Sequence, residues 1–163
     1  MNAPMVLCAE SLARIDKAIA KYPADQRQSA VMAALTIAQS EKGWLSTETM
    51  GFVAQYLGMP PIAVFEAASF YGMYDLHPVG RHKITICTNL PCALSGAVVA
   101  ADHLKNKLGI GFTQTTADGQ FTLKEGECLG ACGDAPVCLH NDKNMVSFMT
   151  PGKLDAWIEE LRK

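Results

Sequence analysis

The stretch GECLGACGDAPVC (126–138) packs three cysteines and three glycines into thirteen residues. Cys128 and Cys132 stand four apart, with Gly130 between them and Gly133 just beyond. Taken alone, such a stretch fits a disulfide, a zinc knuckle, a buried apolar cluster or half of a larger site. A second pair lies upstream in CTNLPC (87–92), so the chain carries C-x4-C, 35 intervening residues, then C-x3-C.

The patterns around the two pairs place them at strand ends. KITIC (83–87) is a β-branched run typical of a buried strand. Ala97, Ala101, Leu104 and Leu108 share one helical face, and Gly109 supplies its stop. FTLKEGE (121–127) alternates as a strand, while PVCLH (136–140) and MVSFM (145–149) flank the polar turn NDKN and predict a hairpin. Thr150 and Pro151 open a last helix whose apolar face is Leu154, Trp157, Ile158 and Leu161. The order β-α-β-β-β-α is that of a thioredoxin-like sandwich. A β-α-β unit returns the chain to the same sheet edge, so the two loops are expected to converge and the four thiolates to meet.

Residues 1–74 predict a different body, a bundle of four short helices. Leu12, Ile15 and Ile19 fall on one face, and Val31, Ala34, Leu35 and Ala38 repeat the pattern before Gly43. Ser46 and Thr47 cap a third helix with Phe52, Val53, Tyr56 and Leu57 as its buried stripe. GMPP (58–61) ends that helix and begins a fourth, with Ile62, Phe65 and Ser69 expected to face inward. DLHPVGRH (75–82) has no period and reads as a linker. The expected architecture is therefore mixed, α+β or α/β, with a helical bundle over 1–74 and a sandwich over 83–163. Phe70, Tyr71 and Tyr74 read as packing between bundle and sandwich in preference to a partner surface.

Four cysteine thiolates, two per loop, suit a two-iron cluster with two thiolates on each iron. Neighbouring glycines let backbone N–H groups approach, Pro91 stiffens one loop, and the helix after Cys92 is expected to aim its positive end at the site. Zinc also accepts four cysteines, although its knuckles favour C-x2-C turns. A disulfide within either pair and thiol exchange are the other readings, the latter without the usual C-x2-C. Cys138 lies in a strand pattern and reads as a small core residue, and Cys8, in the N-terminal tail, as a bystander. Cys138-Leu139-His140 resembles one arm of a Rieske site, but no later cysteine builds the second. His77, His82 and His103 read as solvated or capping.

Composition narrows the function. A formal net charge of −2 with no basic stripe argues against a nucleic-acid partner. No apolar run approaches the ~20 residues of a membrane span. MNAPMVLCAESLARID (1–16) reads as neither a secretion signal nor a transit peptide. The expected location is a bacterial cytoplasm, where thiols stay reduced and six cysteines favour metal or redox chemistry. There is no phosphate-binding G-x-x-x-x-G-K-[ST], GIGF (109–112) lacks a third glycine, and no Ser/His/Asp or paired-acid set stands out. A chain with a carrier site and no substrate site is a relay.

CTNLPC and CLGACGDAPV (128–137), with ASFYGMYDLHPVG (68–80), GW (43–44) and YLGMPP (56–61), resemble one family over nearly the whole chain, from about residue 10 onward. That family is the 24-kDa-type subunit of NADH:quinone oxidoreductase, respiratory complex I, whose members are thioredoxin-like [2Fe-2S] ferredoxins with an N-terminal helical extension. The resemblance implies one [2Fe-2S] cluster on Cys87, Cys92, Cys128 and Cys132, with FMN and NADH on a partner subunit and not on this chain. It implies single-electron exchange with that FMN, further partners in the peripheral arm, and a place on the cytoplasmic side of the membrane. It also allows a homodimer of the isolated chain. Equivalent subunits of NAD-dependent formate dehydrogenases and NAD-reducing hydrogenases have similar cluster loops. A free-standing thioredoxin-like ferredoxin and a zinc-stabilised module are the rivals of another kind.

Overall fold

The computed structural model describes residues 7–163. The first six residues, the beginning of the stretch that lacks a signal pattern, lie outside them. The chain forms two compact units that meet in sequence between Pro78 and Val79.

The first unit is helical: α1 (Ala9–Ile19), α2 (Val31–Lys42), α3 (Thr47–Leu57) and α4 (Pro61–Phe70), with a 3-10 segment, Ala24–Ala30, leading into α2. Local chemistry sets the ends. The Ser46 hydroxyl accepts from the Thr49 N–H at 3.1 Å, Gly58 turns left-handed to close α3, and Pro61 occupies the first turn of α4. The core is built from Ile15, Ala34, Leu35, Ala38, Val53, Leu57, Val64 and Ala68, with Leu45 and Tyr74 beside them.

Four sequence expectations change in this unit. Cys8 is no bystander: its sulfur accepts from the Ser11 N–H, making it the N-cap of α1, and its own N–H donates to the Glu41 carboxylate at 3.0 Å. α4 buries Val64 and Ala68, whereas Ile62 is 63% exposed and Phe65 45%. The fourth-helix stripe is thus rotated, because small Ala68 allows close approach that Phe65 would prevent. Phe70 is 80% exposed, touching only the Tyr71 ring among its aromatic neighbours, while Tyr74 is buried within this unit with its hydroxyl donating to the Met32 carbonyl at 2.9 Å. Asp75, placed in the linker by its sequence, belongs to the helical unit: its N–H donates to Gln39 Oε1 and its carbonyl accepts from Leu45 N–H, both at 2.8 Å.

The second unit is a five-stranded mixed sheet with two longer helices. Its elements are β1 (His82–Cys87), α5 (Leu90–Leu94), α6 (Ala97–Leu108), β2 (Gln114–Thr115), β3 (Phe121–Gly126), β4 (Cys138–His140), β5 (Asn144–Val146) and α7 (Pro151–Leu161). The strand order is β2-β3-β1-β4-β5, with β1 parallel to β3 and the other pairs antiparallel. Ile84, Ile86, Phe121, Leu123 and Cys138 share one core with Leu104 of α6 and Leu154 and Ile158 of α7. The two-residue β2 and the short α5 have no periodicity to read in sequence.

The start of β1 holds a buried histidine pair. His82, only 9% exposed and not solvated as expected, sits 3.1 Å through Nδ1 from His140 Nε2, and its ring stacks on His140 and leans on Phe121. Among the described residues, its buried Nε2 makes no hydrogen bond of normal geometry. Burial first, then His140 and Arg81, hold the His82 imidazole below its ordinary value, and burial does the same for His140. A folded-state depression means that the unfolded chain binds more protons once pH falls through the ordinary histidine value of about 6.5. Stability should therefore be flat above that point and lost below it. Urea midpoints measured at about pH 7.5 and about pH 5.5 should fall for the natural chain, and fall less for a His82→Gln, His140→Gln double variant.

Candidate metal centre

Parallel pairing of β1 with β3 ends with Cys87 opposite Gly126, two residues before Cys128. Both cysteine loops therefore leave the sheet from the same edge. The Cys87 N–H donates to the Val137 carbonyl, and the Thr88 N–H to the Gly126 carbonyl, both at 3.1 Å. The Cys87 thiol donates to the Glu127 carbonyl at 3.7 Å, tying the first loop to the residue before Cys128. Gly126 fits closely here: a Cβ would stand 2.9 Å from Thr85 Cγ2, so a larger residue would force the Thr85 side chain to shift. Gly130 turns the second loop at φ +73°, in the left-handed region.

Asn89 Oδ1 accepts from the Leu90 N–H at 3.0 Å and starts α5, with Pro91 in its first turn. Cys92 thus lies inside a short helix, and the longer helix expected after it, α6, begins at Ala97, which packs against Cys92. Asn followed by Pro two residues later is a helix-start signal present in the sequence, one that apolar periodicity alone passes over.

Cys87 and Cys92 are buried together with Ala97 and Val137, and Leu129, Ala131 and Ala135 of the second loop pack on that cluster. Cys128 and Cys132 are exposed. Burial pushes the Cys92 thiol up to about 11; the hydrogen-bonded Cys87 adds to the rise, and Cys132 lies close enough to contribute. The loops are thus brought together, with Cys128 next to the residue whose carbonyl Cys87 reaches. Among the described residues, no three His, Cys, Asp or Glu side chains stand at metal-holding separations. The donor set still fits a thiolate-bound metal group: four cysteines in two pairs on adjoining loops, two backed by apolar side chains and two open to solvent. A protonated thiol such as Cys92 would become a ligand by releasing its proton to solvent, so that the thiolate binds the metal.

Cys138 is fully buried beneath this cluster, in the sheet core, and burial pushes its thiol up to about 12. It packs as an apolar side chain. His103 is held by Asp155 at 2.9 Å and His140 by His82, so neither faces the cysteines.

The model of the thioredoxin-like [2Fe-2S] ferredoxin family matches residues 15–162. This chain belongs to that family. Relatives of this ferredoxin-family chain include an NADH-quinone oxidoreductase subunit of Rickettsia bellii, 40% identical over 94% of this chain and 92% of its own length. An NADH-quinone oxidoreductase subunit of Rhizobium meliloti is 42% identical over 91% and 86%, and subunit 2 of the Thermus thermophilus oxidoreductase 38% identical over 91% and 82%. Among solved structures, an NAD+-reducing [NiFe]-hydrogenase in its air-oxidized state superposes with a TM-score of 0.73 at 25% identity, over 86% of this chain and 24% of the hydrogenase chain.

Exposure and thiol acidity set a reactivity order. Brief alkylation of the metal-free, reduced chain with iodoacetamide should label Cys128 and Cys132 and spare Cys138 until the protein is unfolded. Peptide mass spectrometry reads the order directly, and early labelling of Cys138 would contradict its burial.

Proposed function

We propose that this chain is the electron-transfer subunit of an NADH:quinone oxidoreductase, holding one [2Fe-2S] cluster on Cys87, Cys92, Cys128 and Cys132. Its exchange partner is FMN on a flavin- and NADH-binding subunit, so the chain contributes no complete active site of its own. The observation that carries this reading is the β1–β3 register, which sets Cys87 opposite Gly126 and so gathers both cysteine loops at one sheet edge. Relatives named as NADH-quinone oxidoreductase subunits, at about 40% identity over most of the chain, support the assignment.

When bound, such a cluster supplies reversible one-electron transfer. The protein's share is placement and environment. Cys87 and Cys92 would hold one side against Ala97 and Val137, which exclude water. Cys128 and Cys132 would hold the side facing solvent, where a partner can approach. Beside Cys92, Leu90 and Leu94 are exposed on α5, an apolar surface suited to a subunit contact. No helix among the described residues is long and apolar enough to cross a membrane. This fits a peripheral subunit on the cytoplasmic face, with proton translocation carried by other subunits.

The hydrogenase superposition favours a second reading, the equivalent subunit of an NAD-reducing hydrogenase. Identification of the large subunits that co-purify with the chain separates the two.

Anaerobically purified chain should contain two irons and two sulfides and give an EPR signal on one-electron reduction. Cys87→Ser, Cys92→Ser, Cys128→Ser and Cys132→Ser should each lose or alter that signal, while Cys8→Ser and Cys138→Ser keep it. A colourless chain with stoichiometric zinc would overturn the redox reading. A Cys138→Ser variant that bleaches beside an intact Cys132→Ser variant would overturn the ligand set.

A further inference from the structure

A groove of about 500 Å³ runs between α1 and α2 in the helical unit, far in sequence from every cysteine of the candidate centre. Its floor is apolar, from Met32 and Ile37 of α2 and Met73 beyond α4. Its rim on the α1 side is cationic: Arg14, Lys17 and Lys21. These three stand at i, i+3 and i+7, one helical face and the turn that follows it, covering about 10 Å along the axis.

Charge distribution makes this rim distinctive. Residues 1–78 carry seven acidic and five basic side chains, yet the groove collects three of the basic ones and no acid. Among the described residues, no carboxylate forms an ion pair with Arg14, Lys17 or Lys21, so their charges are open to a partner. Lys17 lies in the last turn of α1, where it also offsets the helix dipole. Arg14 lies almost a full turn earlier and has no such reason to be there.

We propose that the α1–α2 groove receives an acidic amphipathic helix of a partner subunit, its apolar face over Met32, Ile37 and Met73 and its carboxylates on Arg14, Lys17 and Lys21. Both walls are helices and offer no unpaired strand edge, so a third helix is the element that packs between their ridges. The cations are exposed on an open rim, which suits a long complementary surface better than a small anion in need of an enclosed, desolvated site. The apolar floor supplies affinity; the rim supplies orientation and rate.

This inference rests on the reading that the chain works inside a multisubunit complex, but not on its cluster. The test uses the full chain with Arg14→Glu, Lys17→Glu and Lys21→Glu together, titrated against the purified flavin-binding subunit with which the natural chain co-purifies. Facing like charges should weaken binding by about 100-fold and abolish its steep salt dependence. Met73→Asp should weaken it as well, through the floor. All four positions lie on the surface, and an unchanged melting temperature checks the fold. Zero-length carbodiimide coupling of the natural complex should join Lys17 or Lys21 to carboxylates spaced three or four apart on one partner helix. Unchanged affinity of the triple variant, couplings only between copies of this chain, or couplings to carboxylates outside a helix would each overturn the groove assignment. A triple variant that binds normally and keeps its EPR signal fails the groove alone. A natural chain that binds its partner but holds no iron fails the redox reading alone, and one that never acquires a partner fails both.

Discussion

Parallel pairing of β1 with β3 is the constraint on which the candidate centre depends. Strands that run the same way end at the same edge, and the chain between them has to cross back, here through α5 and α6. Cys87 therefore meets Gly126 across the ladder, and residues about 40 positions apart come to share one loop cluster. The Cys87–Glu127 contact follows from that register, while the Cys87–Val137 hydrogen bond continues the β1–β4 ladder, and Leu129, Ala131 and Ala135 pack on the cluster of Cys87, Cys92, Ala97 and Val137. Shift it by one residue and Cys87 would change faces, which would separate it from Cys92 and the apolar backing.

The two ends of β1 show how one strand supports opposite environments. At its end, Cys87 sits between a buried apolar wall and loops that carry two exposed thiols. At its start, His82 is enclosed by aromatic rings, stacked on His140, whose ring meets Trp157 edge-on. The Ile84 and Ile86 core lies between them, joined there by Leu104, Leu154 and Ile158. Cys138 belongs to this core, although it is buried like Cys87 and Cys92, and it stands outside the proposed ligand set.

Much of the helical unit was legible because its signals are local. Ser46, Gly43, Gly58 and Pro61 each act on the turn in which they stand, and helix ends follow from them. Local signals leave open which face turns inward. The fourth helix is apolar nearly all round, so its sequence allows several faces, and the close fit of Val64 and Ala68 selects one. Phe65 and Phe70 are left on the outside for the same reason.

By itself the sequence determined the order of the longer strands and helices of the second unit and its two cysteine pairs, since strand patterns, glycine turns and thiol spacing are all written within a few residues of one another, while the short β2 and α5 left no such mark. Only the tertiary structure decided that His82 is buried rather than solvated, that Cys8 caps a helix, and that α1 and α2 leave a cation-rimmed groove between them. Each of these depends on side chains brought together across dozens of residues: His140 for His82, Glu41 for Cys8, Met73 for the groove. Burial is a property of the packed whole, and periodicity along a single segment carries no record of what will pack against it.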